Sequence, residues 1–105
     1  MSVSTHVLDS VTGRPAAGMT VTLFAGAELL AEGTTDADGR CRLADGSTGA
    51  GPHRLVFATG EWFDAQGRET FYPEVALTFA VREPAGHHHV PLLLSPFAYS
   101  TYRGS

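Results

Sequence analysis

The chain has 105 residues, 43% hydrophobic and only 17% charged, a size and composition that suit one folded domain and exclude a disordered segment. Eleven acidic against seven basic side chains give a net charge of -4 with no basic stripe, which excludes the electrostatic footprint of a nucleic-acid binder. The basic residues are all Arg, so lysine Schiff-base and P-loop chemistry are excluded, and the single cysteine, Cys41, permits no internal disulfide.

Along the chain, apolar residues recur with a period of two in short runs bounded by Gly, Pro, Asp and Ser, which predicts strands. They are expected at Ser4–Ser10, Met19–Ala25, Glu28–Thr34, Arg40–Leu43, His53–Thr59, Val75–Arg82, His87–Leu94 and Ala98–Tyr102. Turn chemistry separates them at Thr12-Gly13-Arg14-Pro15, Asp36-Ala37-Asp38-Gly39, the Gly46–Pro52 stretch and Glu83-Pro84-Ala85-Gly86. One short helix is predicted over Glu61–Gly67, with Gly67 as its C-terminal glycine. Eight strands without long helical periods predict an all-β fold, a sandwich of two packed antiparallel sheets in a single domain spanning 1–105. The longest apolar runs, such as Val90 to Leu94, are too short to span a bilayer, and no signal-peptide core opens the chain. A soluble, cytoplasmic protein without a membrane partner is the expectation.

The C-terminal stretch from Leu92 to Tyr102 is apolar and aromatic almost to its end, where termini are usually polar and frayed. Consecutive leucines face both sides of a sheet, so burial on both faces is expected, one of them against a neighbouring chain.

Chemistry-bearing side chains are few. Alternation places His6 on the strand face opposite Thr5, Val7 and Asp9, and puts His87 and His89 on one face with His88 on the other. Two imidazoles can therefore converge with His6. These three could in principle ligate a metal, but their spacing matches none of the usual metal motifs, and neither a metal nor any other cofactor is expected. Arg40 follows the Asp38-Gly39 turn, where its planar fork could hold a carbonyl-rich heterocycle and stabilise an oxyanion. Cys41 then faces the core, where burial disfavours a nucleophilic thiolate.

Thr5-His6-Val7-Leu8-Asp9, Asp38-Gly39-Arg40, and the run from His87-His88-His89-Val90-Pro91 to the terminal Tyr102-Arg103-Gly104-Ser105 resemble the 5-hydroxyisourate hydrolases, the transthyretin-related enzymes of urate catabolism. The similarity extends in order from Ser4 to the last residue. It implies a transthyretin-like sandwich of two four-stranded sheets with one short helix, assembled as a homotetramer, a dimer of dimers with active sites where the dimers meet. It also implies that His6, Arg40 and His89 are catalytic and that His6, Arg40, Tyr102 and Ser105 contact the substrate, 5-hydroxyisourate. Which histidine is the base stays open. Where the family commonly has His-Tyr-His before Val-Pro-Leu, this chain has His88 in the middle place, and alternation points that side chain away from the site. The competing reading is a transthyretin-like carrier of a small aromatic ligand without catalysis, which the fold alone does not exclude.

Overall fold

In Ser2–Asp9 every second side chain is buried: Val3, Thr5, Val7 and Asp9 point inward while Ser2, Ser4, His6 and Leu8 lie on the other face. This period-two segment is strand β1, and the second layer of the molecule is built around it. A computed structural model describes residues 2–43, 49–82 and 86–105. The other elements are β2 (Arg14–Pro15), β3 (Thr20–Ala25), β4 (Glu28–Thr34), β5 (Arg40–Leu43), β6 (Gly51–Phe57), α1 (Thr59–Asp64), β7 (Val75–Val81), β8 (His87–His89), β9 (Leu92–Ser95) and β10 (Ala98–Thr101).

One sheet is fully antiparallel, in the order β4-β3-β6-β7. In the other, the first half of β1 pairs with β5 on one side and β8 on the other, and its second half pairs with β2 and β9 in the same two positions. β10 then pairs with β9 at the edge. Its six segments therefore occupy four rows, and the sandwich has the two four-stranded layers expected. Between the layers, Val3, Val7, Val21, Leu23, Leu55, Phe57, Leu92 and Leu94 are removed from water completely. Burial of each such side chain contributes on the order of 2 kcal/mol.

Several features differ from expectation, among them a short strand at Arg14–Pro15 where a turn was expected. The pairing of β1 with β8 and with β9 is parallel, because alternation reports which face a residue occupies and carries no information on the partner or its direction. The single strand expected at His87–Leu94 is two strands, interrupted at Val90-Pro91: Pro91 has no N–H to give to a ladder, and Val90 donates its own to the Ser4 carbonyl at 2.9 Å.

The helix begins at Thr59, two residues earlier than predicted, so the preceding strand stops at Phe57. After it, Gly67 at φ +65° lets its N–H reach the Asp64 carbonyl and the Arg68 N–H reach that of Phe63, the paired bonds of a Schellman ending. Residues 44–48 of the Gly46–Pro52 turn stretch, and Glu83, Pro84 and Ala85 of the next expected turn, lie outside the described residues.

Candidate active site on the outer face of the β1 sheet

Cross-strand partners share a face, so the register of β1 decides what meets on its outer side. His6 is opposite Arg40 on β5, and Ser4 is opposite Arg42 on β5 and His89 on β8. Three strands distant in sequence thus bring His6, Arg40 and His89 to one patch. His88 is in register with the core residue Val3 and belongs to the inward side; its ring centroid lies 6.3 Å from that of Phe79, and its Nδ1 is buried without a hydrogen-bond partner.

Arg40 owes its position to the turn before it. Asp36 Oδ1 accepts the backbone N–H groups of Asp38 and Arg40, both at 2.9 Å, and the Gly39 N–H closes onto the Asp36 carbonyl. Gly39 is required here: φ is +75°, and a Cβ would lie 2.4 Å from the Val7 carbonyl oxygen. The same turn orients His6, whose Nε2 lies 2.8 Å from the Asp38 carbonyl oxygen. A carbonyl only accepts, so Nε2 carries the proton, and in the neutral ring Nδ1 is the bare nitrogen.

His89 is held from two sides. Its Nδ1 lies 2.8 Å from Ser4 Oγ, and the C-terminal tail folds over its ring. The Gly104 N–H donates to the His89 carbonyl at 2.9 Å, and a Cβ on Gly104 would fall 2.3 Å from the ring's Cδ2, so only glycine fits beneath that close approach. Thr101 Oγ1 anchors the start of the tail by donating to the Pro91 carbonyl at 2.7 Å. Burial, followed by the positive field of Arg40, His87 and His6, holds the His89 pKa below the usual histidine value, while the Ser4 backbone opposes the shift in part. His89 is therefore mostly neutral near pH 7, the form in which an imidazole can accept a proton.

Tyr102 and Ser105, both exposed, flank the glycine that covers His89. A groove of about 820 Å³ runs along β8 and the tail on the side facing β7, and it touches His89 and Tyr102 but not His6 or Arg40. The face carrying His6, Arg40 and His89 is thus open within one chain. Cys41 faces the core as expected, and burial, reinforced by the Asp36 charge, pushes its thiol pKa up. Among the described residues no three His, Cys, Asp or Glu side chains are grouped to hold a metal ion. No helix there is long and apolar enough to cross a membrane.

The residue that reading the sequence missed is Ser4. Its signal was its place two positions before His6 on the same strand face, but its partners became visible only with the parallel register of β8.

Residues 3–104 match the model of the HIUase/Transthyretin family. A relative from Caulobacter vibrioides, named 5-hydroxyisourate hydrolase, is 46% identical over 112 aligned residues, covering 98% of this chain and 97% of the relative. The solved structure of Klebsiella pneumoniae 5-hydroxyisourate hydrolase superimposes with a TM-score of 0.92 at 40% identity, covering 100% of both chains. Transthyretin from Sparus aurata superimposes with a TM-score of 0.86 at 31% identity, over 97% of this chain and 95% of that one.

Proposed function

The chain belongs to the HIUase/Transthyretin family, and we propose that within it the protein is a hydrolase that opens the cyclic amide of 5-hydroxyisourate in urate catabolism. The observation that carries this reading is the meeting of a neutral His89, His6 and Arg40 on one face from three strands. In the proposed reaction an imidazole takes a proton from water as the water oxygen bonds to a ring carbonyl carbon. General-base help of this kind contributes roughly 10²–10⁴-fold. Arg40 stabilises the resulting oxyanion, and the ring C–N bond then breaks with a proton delivered to the nitrogen. Tyr102 and Ser105 contact the substrate from the tail, and no step calls for a cofactor.

The open face implies the rest of the reading. An oxyanion is stabilised best where water is excluded, and one chain offers no enclosure around His6 and Arg40. A homotetramer built as a dimer of dimers, with this face turned toward its symmetry mate, supplies the missing wall. The likeness to transthyretin keeps the carrier reading as a competitor. The two part on turnover: freshly generated 5-hydroxyisourate, followed by ultraviolet absorbance, decays far faster with the protein than alone if the chain is the hydrolase. A decay rate equal to the spontaneous one, with a small aromatic ligand retained, establishes the carrier.

A further inference from the structure

The parallel pairing of β1 and β8 builds a ladder. Ser2 is in register with His87 and Ser4 with His89, so each two-residue step along both strands repeats a hydroxyl beside an imidazole. The two rings are nearly parallel, 14° apart in plane with centroids 6.5 Å apart. Ser2 Oγ lies 2.5 Å from His87 Nδ1, His87 Nε2 lies 3.0 Å from Ser4 Oγ, and Ser4 Oγ lies 2.8 Å from His89 Nδ1. These contacts form one unbroken hydrogen-bonded chain from the exposed His87 to the covered His89.

Proton counting constrains that chain. Ser4 has one hydroxyl proton and two ring nitrogens to satisfy, so it donates to one and accepts from the other. With neutral rings, only two arrangements are self-consistent. In the first, His89 donates from Nδ1 to Ser4, Ser4 donates to His87 Nε2, and His87 Nδ1–H donates to Ser2; His89 Nε2 is then a bare acceptor. In the second every bond is reversed, and His89 Nε2 carries a proton.

We propose that Ser2, His87 and Ser4 are positioning residues that act as a proton wire, reversing as a unit to switch His89 from general base to general acid within one turnover. This rests on the hydrolase reading given above. As water attacks, its proton passes to His89 Nε2; the Nδ1 proton moves to Ser4, the Ser4 proton to His87 Nε2, and the His87 Nδ1 proton through Ser2 to solvent. His89 is left neutral but protonated at Nε2. When the ring C–N bond breaks, that proton goes to the leaving nitrogen, and one proton returns from solvent along the same path. No net charge accumulates on a ring already surrounded by Arg40 from β5, His6 from β1 and His87 on its own strand, with Arg42 opposite Ser4. The fixed Arg40 charge makes a lasting imidazolium there unfavourable and a neutral switch the less costly route.

The test compares Ser4→Ala, which cuts the wire, with Ser4→Thr, which keeps a hydroxyl on a strand-compatible side chain. Ser4→Ala is expected to lower kcat roughly 10- to 100-fold with KM changed less than about twofold, whereas Ser4→Thr stays within about threefold of the parent. In mixed H₂O/D₂O the kcat of the parent and Ser4→Thr should fall along a bowed curve, the mark of several protons in motion, and that of Ser4→Ala along a straight line. A second readout needs no turnover. Imidazole ¹⁵N shifts should show the tautomers of His87 and His89 coupled in the parent, both rings carrying the proton on Nδ1 or both on Nε2, and uncoupled in Ser4→Ala. If Ser4→Ala retains the parent's kcat, proton inventory and coupled ¹⁵N tautomers, the wire is overturned. If the ¹⁵N coupling depends on Ser4 while the parent fails to accelerate 5-hydroxyisourate decay, the wire stands and the substrate assignment falls.

Discussion

His88 and His89 are neighbours in sequence, yet the register of β8 separates them by the thickness of a sheet. His89 meets Ser4, the tail and the field of Arg40, while His88 lies on the side of Val3 and Phe79. His89→Ala is therefore expected to lower turnover on the order of 10²–10⁴-fold, and His88→Ala to leave it within about threefold, as measured by initial rates on 5-hydroxyisourate. Equal losses would mean that the two side chains share a face. The pH profile follows from the same surroundings. A histidine base works when neutral, and burial plus positive neighbours lower the pKa of His89, so the acidic limb of kcat should lie below the ordinary histidine value of 6.5. Arg40→Met removes one of those positive charges. Its activity is lower throughout, but the limb itself should move upward in pH; a limb that moves downward or stays in place would show that Arg40 does not act on His89.

Between elements, the contact most sensitive to a single change is the ion pair that ties the end of β1 to the segment after α1. Asp9 is 2% exposed, and Arg68 Nη1 donates to its Oδ2 at 2.7 Å while Oδ1 accepts the N–H groups of Val11 and Thr12. Burial alone would raise the Asp9 pKa, but the Arg68 hydrogen bond, the two backbone donors and the Arg68 charge together bring it below its usual value. Arg68→Ala leaves a buried carboxylate short of its counter-charge and should cost about 3 kcal/mol in denaturant unfolding. A carboxyl with a depressed folded-state pKa stabilises fully above its unfolded value and loses that contribution as pH falls through the folded one. The parent's advantage over Arg68→Ala should accordingly shrink below about pH 4; an advantage constant from pH 7 to pH 3 would remove Asp9 from the account. This pair also marks what reading the sequence reached. Alternation put His6 and Asp9 on opposite faces and separated His88 from His89, because facing is a local property of a strand. The partners of those residues are set by pairing across 32 to 85 positions, which no local pattern encodes. Hence the parallel β1–β8 contact, the break at Val90-Pro91, the role of Ser4 and the Asp9–Arg68 pair came only with the fold.

For the molecule as a whole, the sandwich and the site depend on different parts of the chain. The core closes on residues up to Leu94, whereas beyond β9 the chain runs along the surface: Phe97 is 62% and Tyr102 59% exposed, and Phe71, tied next to Phe97 by its N–H bond to the Pro96 carbonyl, is 70% exposed. Apolar and aromatic surface strung along the β10 edge of a small protein is costly to leave in water and suits contact with another copy. The tail itself contributes one backbone bond and one glycine fitted over His89, so removing it forfeits little buried area. Deleting residues 102–105 should therefore leave thermal unfolding cooperative and within a few degrees of the parent, while hydrolysis of 5-hydroxyisourate is lost. Sedimentation separates the two ways in which that loss could arise. A truncated chain that still sediments at four times the monomer mass has lost chemistry, because the cover over His89 and the substrate contacts proposed for Tyr102 and Ser105 are gone. One that sediments as a dimer has lost the wall assigned above to the neighbouring copy of the proposed tetramer. Unchanged turnover in the truncated chain would place the reaction somewhere other than the face that His6, Arg40 and His89 share.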